Sequence, residues 1–262
     1  MGDRAFYEIH WRQRGGRLKN EPHIAEKTRL IIEAIPPDVR TIVDVGCGDG
    51  AITNELSKRF TVTAVDRSRA ALHHVEDRAT VLQSDASDID LPDIHADLVF
   101  SSEMLEHILP LSFSKVVGEL ERLARRYPLL SVPNNEELRQ RRTRCQVCGK
   151  EFHIYRHFRR FTKRRINALF PGWKLVTAFA CGADETSTLR FVSALRNRLV
   201  RSFFFGVEGA TPCPRCGAVI QRRPLNRAQR LASGALNLLE RTLLKGLWIK
   251  PYPDWLVVLL AR

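Results

Sequence analysis

Hydrophobic positions in this chain fall into two kinds of run that alternate along most of its length. Runs of β-branched and apolar residues with no helical period occur at Thr41–Val45, Phe60–Asp66, Ala79–Asp85, Asp97–Ser101, Tyr127–Val132, Trp173–Ala180 and Trp255–Ala261. Each has the length and composition of a buried strand. Between them, apolar residues recur every three to four positions, as expected of helices with one buried face. Ser112–Arg126 places Phe113, Val116, Val117, Leu120 and Leu123 on one stripe, and Asn20 can cap a helix that runs to Ile35 before Pro36-Pro37 stops it. That second helix is expected to lie over the ligand turn described next. Shorter helices are expected at Ala51–Arg59 and Thr162–Phe170. The alternation predicts an α/β fold with a doubly wound, seven-stranded, mostly parallel sheet and its ligand at the carboxyl ends of the strands.

The first strand runs into Gly46-Cys47-Gly48-Asp49-Gly50 and then into the first short helix. Strand, glycine turn and helix together set backbone N–H groups and a helix N-terminus beside a ligand. The spacing is G-x-G-x-G, and the third glycine comes one residue too early for the dinucleotide pattern. The second strand ends at Asp66, where a carboxylate can accept both hydroxyls of a ribose, and the third ends at Asp85 followed by Ala86.

With these residues in place, the sequence from Thr41 to Pro133 resembles the class I S-adenosylmethionine-dependent methyltransferases, in which DVGCGDG is a common first motif. The resemblance implies that Asp44, Gly46, Cys47 and Gly48 lie against the methionine and ribose of the cofactor. Asp66 and Arg67 would hold the ribose side, Asp85 and Ala86 would face the adenine, and Ser101 would close the site from the fourth strand.

The methyl acceptor belongs just past the fourth strand, where the chain reads SSEMLEHILP. No N-P-P-aromatic or D-P-P-aromatic tetrapeptide stands there, so an oxygen acceptor is favoured over an exocyclic base nitrogen. Glu103, Glu106 and His107 are spaced i, i+3, i+4, which puts them on one face if the segment is a helical turn. Two carboxylates and an imidazole suit Mg²⁺ or Mn²⁺. The segment is similar to that of the ubiquinone-biosynthesis O-methyltransferases and of the small-RNA terminal 2′-O-methyltransferases. The resemblance implies a divalent cation held by Glu103, Glu106, His107 and His157, the last in the context RHFRRFT. The other reading of the same residues is polar surface at a helix start, or His107 acting alone as a general base.

Charge changes the picture of the second half. Residues 1–135 carry 17 Lys+Arg against 21 Asp+Glu, leaving 25 against 8 for residues 136–262. A half so basic is expected to meet an anionic partner: a phosphosugar or glycan, RNA, or the surface of an anionic membrane. The bland alternative is a solvated basic face. No run is long and apolar enough to span a membrane and the start lacks the apolar core of a signal peptide, so a cytoplasmic location, at most peripheral to the inner membrane face, is expected.

Two C-x-x-C-G turns, Cys145–Gly149 and Cys213–Gly217, punctuate this half. Paired turns of this kind predict a structural zinc ion held by Cys145, Cys148, Cys213 and Cys216. The rival set is Cys145, Cys148, His153 and His157, while Cys47 and Cys181 read as small core residues. The second turn and two basic helices, Leu189–Phe205 and Leu225–Trp248, form an insertion between the sixth and seventh strands. The apolar stripe of the longer helix, Ala228, Leu231, Ala235, Leu239 and Leu243, is expected to pack on the sheet with its arginines in solvent.

Three regions are thus expected: a helical cap over 1–40, a cofactor-binding core over 41–135, and an acceptor and zinc-knuckle half over 136–262. The expected reaction is methyl transfer from S-adenosylmethionine to a hydroxyl of a sugar or other vicinal diol on a polysaccharide or lipid-linked glycan. The alternatives are ribose 2′-O-methylation of RNA, for which Phe152, Tyr155, Phe158 and Phe161 among arginines are the candidate stacking surface, and a non-catalytic binding protein on the same fold.

Overall fold

The computed structural model describes residues 3–18, 21–139, 141–185, 189–199, 211–220, 225–248 and 251–262. Asn20 and the last residues of the Leu189–Phe205 helix, named above, lie outside them.

The centre is a seven-stranded sheet. Its first five strands are β1 (Thr41–Val45), β2 (Thr61–Asp66), β3 (Thr80–Gln83), β4 (Ala96–Ser102) and β5 (Ala124–Pro133), which pair with one another in parallel. Two short hairpins follow in the chain, one of β6 (Arg142–Arg144) with β7 (Glu151–His153) and one of β9 (Thr211–Pro212) with β10 (Val219–Ile220). The sheet is completed by β8 (Lys174–Glu185) and β11 (Tyr252–Ala261), giving the order β3-β2-β1-β4-β5-β11-β8 with β11 antiparallel to both its neighbours. The Rossmann-like, mostly parallel sheet expected from the sequence is therefore present. Strand order reverses between β1 and β4, so the switch point where such sheets bind ligands lies over the glycine turn.

Apolar side chains fill both faces. On one, α5 (Phe113–Leu123) buries Val116, Leu120 and Leu123 against Val43, Val99 and Leu130, and α6 (Lys163–Leu169), N-capped by Thr162, adds Ile166. The helix α5 is shorter than expected, since the chain is already extended at Ala124. On the other face α2 (Pro22–Ala34) buries Ile31 against Ile42, Leu98 and Val257, and Cys181 is buried with them. The expectation that α2 covers the ligand turn is corrected. An additional helix, α1 (Asp3–Arg14), does so: the indole of Trp11 stands where a Cβ on Gly48 would come within 2.7 Å of it. The helix after the glycine turn shrinks to α3 (Thr53–Leu56), and a further turn α4 (Arg69–Leu72) follows β2.

Two helices, α7 (Arg190–Leu199) and α8 (Arg227–Gly246), pack on one another through Val192, Ala232 and Leu236, in a cluster separate from the sheet's two cores. This overturns the expected orientation of α8. Its buried positions are Ser233, Leu236, Glu240 and Leu244, whereas Leu231 is 77% exposed and Ala228, Ala235 and Leu239 also face solvent.

Candidate active site

The glycine turn is fixed by hydrogen bonds from its own backbone to the end of β2. The N–H groups of Gly46 and Cys47 donate to the carbonyl of Val65 at 2.8 and 3.1 Å. The N–H of Gly48 donates to Oδ2 of Asp66 at 3.0 Å, and Ser68 N–H donates to Oδ1 at 2.9 Å. Gly46 and Gly48 have φ of +78° and +56°, and a Cβ on Gly46 would fall 2.4 Å from the side chain of Met104, so neither tolerates a side chain. Met104 belongs to the SSEMLEHILP segment, which therefore lies directly against the first glycine.

Beneath the turn, Asp44 is buried and accepts a hydrogen bond from Thr53 Oγ1 at 2.6 Å. Burial raises its pKa from the ordinary 3.8 to about 7, against the opposing pull of the Thr53 hydroxyl. Burial also raises Asp66, only in part offset by its two backbone donors, and pushes the half-buried Cys47 thiol well up. At the far edge, a guanidinium nitrogen of Arg67 lies 3.6 Å from Asp85, which caps its own turn by accepting from Ser87 N–H and Oγ at 3.1 and 2.8 Å. Ala86 packs against the core beside them. Ser101 is turned into the sheet, where its hydroxyl donates to the Val45 carbonyl at 3.0 Å. The structure thus gathers Asp44, Gly46, Cys47, Gly48, Asp66, Arg67, Asp85 and Ala86 along one edge, and uses Ser101 to tie β4 to β1.

Past β4 the chain makes a 3-10 turn at Leu105–His107. Glu103 precedes it with φ of +52°, so it is not on the face carrying Glu106 and His107, and the i, i+3, i+4 expectation is corrected for this residue. Its Oε1 instead accepts from Lys27 Nζ at 3.0 Å and Ser131 Oγ at 3.2 Å, with Lys27 itself buried and stacked over Trp255 at 4.2 Å. The 3-10 turn is clamped from the basic half. Phe158 N–H donates to the Glu106 carbonyl at 2.8 Å, and buried Arg159 donates to the carbonyls of Leu105 and Ile108 at 2.7 and 2.6 Å. Those contacts bring His157 to the turn, its ring 4.6 Å from that of His107.

One ligand atom from each of Glu106, His107 and His157 lies within 4.8 Å of the others, and the same holds for Glu136, His153 and His157. Glu106 is fully buried, and neither of its carboxylate oxygens has a hydrogen-bond partner among the described residues. The same is true of Nδ1 of His107, Oε1 of Glu136 and Nε2 of His153. Burial, then the nearby Glu103 charge, raises Glu106 well above the carboxylate range. Burial also lowers His107 well below its ordinary value and brings His153 and His157 each down to about 3, so the three imidazoles are neutral. Converging unpaired donors in a closed space fit a bound cation, because buried polar atoms are otherwise paired. Glu103, named with them from sequence, stays outside the group; Glu136 and His153 form a second group that shares His157. Glu136 had no spacing signal, lying thirty residues from the E-M-L-E-H run in sequence.

The helix α1 closes the site from above. Glu8 accepts from Ser68 Oγ at 2.8 Å, Tyr7 meets the His107 ring edge-on at 6.0 Å, and Gly16 N–H donates to Asp49 at 2.9 Å. This helix falls within the helical cap expected over 1–40 but was not singled out there, although the aromatics of FYEIHW recur at helical spacing.

Further along, the β6–β7 and β9–β10 hairpins carry the two cysteine turns in matching form. Gly149 and Gly217 have φ of +72° and +73°, and their N–H groups donate to the carbonyls of Cys145 and Cys213 at 3.0 and 2.9 Å. The Sγ atoms of Cys145 and Cys216, and those of Cys148 and Cys213, are each 3.6 Å apart, and all four lie within 4.8 Å of one another. Zinc–sulfur bonds of about 2.3 Å in a tetrahedron place sulfurs about 3.8 Å apart, so the four thiols fit that ion. The backbone N–H of Cys148 helps draw the Cys145 thiol down to about 6, toward the thiolate that zinc requires. His153 and His157 are grouped with Glu136, not with these cysteines, which removes the rival ligand set.

Residues 43–129 match the family described as "Methyltransferase domain". Uncharacterized methyltransferases of Mycobacterium tuberculosis and Mycobacterium bovis are 34% identical to the chain over 85 residues, 30% of this chain and 43% of theirs. The match therefore spans less than half the length of these relatives. A SAM-dependent methyltransferase of Archaeoglobus fulgidus superposes with a TM-score of 0.54 at 15% identity, covering 91% of this chain and 94% of that one. The Burkholderia thailandensis 1,6-didemethyltoxoflavin-N1-methyltransferase, solved with bound S-adenosylhomocysteine, superposes with a TM-score of 0.54 at 12% identity, covering 99% and 86%. The fold is that of the Rossmann-like methyltransferases.

Proposed function

We propose, from a class I S-adenosylmethionine-dependent methyltransferase domain, that this chain methylates a hydroxyl of a sugar or other vicinal diol with the help of a divalent cation. The observation that carries the proposal is the meeting of Glu106, His107 and His157, with both carboxylate oxygens of Glu106 and Nδ1 of His107 buried and unpaired among the described residues, packed through Met104 against the first glycine of the cofactor turn. The turn, with Asp66 aimed into it, suits the ribose of S-adenosylmethionine. The buried carboxylate of Asp44 lies below, where positive charge on the cofactor would favour its ionised form. Bound there, S-adenosylmethionine would supply an activated methyl group, and Glu106, His107 and His157 would hold a cation that lowers the pKa of a hydroxyl.

The residues around that site have separable tasks. Glu136 and His153 hold the ring of His157 from behind. Arg159 fixes the 3-10 turn so that Glu106 and His107 face the same space, and α1 shields the site from water. Holding acceptor and donor in line supplies much of the rate in such a transfer. Structural zinc at Cys145, Cys148, Cys213 and Cys216 would join the two hairpins of the basic half, which otherwise share little apolar surface. Mg²⁺ or Mn²⁺ suits the other site by its mixed nitrogen and oxygen donors.

The acceptor is tested with labelled S-adenosylmethionine and cell extract separated into RNA, polysaccharide, lipid and protein. Label in the polysaccharide or lipid fraction, resistant to nuclease, is expected. Nuclease-sensitive label would replace this reading with ribose methylation of RNA. Against RNA stand the burial of Phe152 and Phe161, which are core residues and not open stacking platforms.

A further inference from the structure

The packed pair of α7 and α8 has apolar residues on both sides of its longer helix. One side packs against α7; the other points directly away from the protein. Leu231 and Leu238, seven residues apart and hence on one line of the helix, are 77% and 69% exposed, with exposed Ala235 between them and Leu239 beside them. Just past the end of the helix stand Leu247 and Trp248, 60% and 87% exposed. On α7 an equivalent outward row is formed by Phe191, Leu195 and Leu199.

Within the two described helices, cations flank these rows and exposed acids do not. Arg227, Arg230, Arg241 and Lys245 are exposed along one flank of α8. The single acid in either helix, Glu240, is buried and taken up by Arg196 at 2.9 Å and the Leu189 N–H at 2.9 Å. A monomeric surface rarely leaves so continuous an apolar row in water, and here the row is a terminal layer with no element of the described chain above it. Leucines along one line, arginines beside them and a tryptophan at the end match the interface between acyl chains and anionic headgroups. Nucleic acid would use the arginines but has no place for leucines.

We propose that α7 and α8 dock in the plane of an anionic lipid membrane, with Leu231 and Leu238 inserted below the headgroups and Arg227, Arg230, Arg241 and Lys245 among the phosphates. The helix α8, about 30 Å long, lies in the surface and does not cross it; no described helix is long and apolar enough to do so.

The test is co-sedimentation of the full chain with vesicles of phosphatidylcholine alone or with about one third phosphatidylglycerol. The protein is expected to sediment with the anionic vesicles and to be released by high salt. The double variant Leu231→Asn, Leu238→Asn should lose at least tenfold in vesicle affinity while keeping its circular dichroism and its binding of S-adenosylmethionine. A second pair, Arg227→Gln and Arg241→Gln, should lose affinity for the anionic vesicles only. Unchanged vesicle binding by both double variants overturns the proposal, as does absence of vesicle binding by the parent protein. So does a dimer in solution that the Leu→Asn pair converts to monomer, since a second copy would then cover the row. Binding to RNA without binding to vesicles would overturn it in favour of a nucleic-acid surface.

Discussion

Oε2 of Glu136 lies 2.5 Å from Nδ1 of His157, while its Oε1 lies 3.6 Å from Nε2 of His153. His153 in turn accepts the His157 backbone N–H at its Nδ1, at 3.2 Å. A neutral imidazole that accepts at Nδ1 carries its proton on Nε2, so His153 directs that proton at Glu136. Glu136 then receives Nδ1–H of His157, which leaves the Nε2 lone pair of His157 for the space shared with Glu106 and His107. The second group of potential ligands is thus better described as support for the first than as a separate ion site.

Replacing that support should loosen the ion without removing a ligand. Glu136→Gln is expected to weaken Mn²⁺ binding about 10-fold to 100-fold, the usual cost of losing a carboxylate behind a ligating histidine. Titration followed by electron paramagnetic resonance measures it, and one ion per chain is expected in this cluster. Unchanged affinity, or two ions lost together, would contradict the arrangement.

Asp44 predicts a pH dependence. Its folded pKa of about 7 lies above its ordinary 3.8, so between these values the folded chain holds a proton that the unfolded chain has released. Stability from this residue therefore falls as pH rises from about 4 to 7, by at most about 4 kcal/mol, and is constant above. Asp44→Asn removes that slope and can still accept from Thr53. The variant should match the parent near pH 4 and become progressively more stable than it up to pH 7, by urea denaturation without cofactor. Parallel curves for the two proteins would show that Asp44 ionises freely in the fold.

The cysteine hairpins should respond to zinc separately from the cofactor turn. Cys213→Ser is expected to lower bound zinc below one per chain and to reduce the melting temperature, while S-adenosylmethionine binding by calorimetry stays within about twofold. A parent protein purified without zinc, and unaffected by adding it, would leave the four thiols as a reduced cluster only.

Much of the sheet was legible because its strands are short apolar runs whose lengths are set by burial, and the G-x-G-x-G turn announces itself by chemistry that only glycine permits. Asp66 and the four cysteines were legible for a similar reason, since their spacing follows from geometry local to a turn. Glu103 misled because its spacing presumed a helix, whereas its φ is positive and its carboxylate is held by Ser131 and Lys27 from other elements. Glu136 was silent because its relation to His157 exists only after β5 and the 158–161 segment are joined, through Asn134, Asn135 and Phe161. The stripe on α8 was visible but its direction was not: a helix with apolar residues on two sides does not say which side faces the protein. The helix α1 was passed over because its charged residues outweigh Phe6, Tyr7 and Trp11 in any average.

The central claim, cation-assisted methyl transfer to a hydroxyl, is tested most directly by following label transfer from S-adenosylmethionine to the acceptor fraction in the presence of a chelator. Activity should vanish in chelator, return with Mg²⁺ or Mn²⁺, and fail to return in Glu106→Gln although that variant still binds S-adenosylmethionine. Activity indifferent to chelator, with Glu106→Gln as active as the parent, would contradict the account and leave His107 as a lone general base.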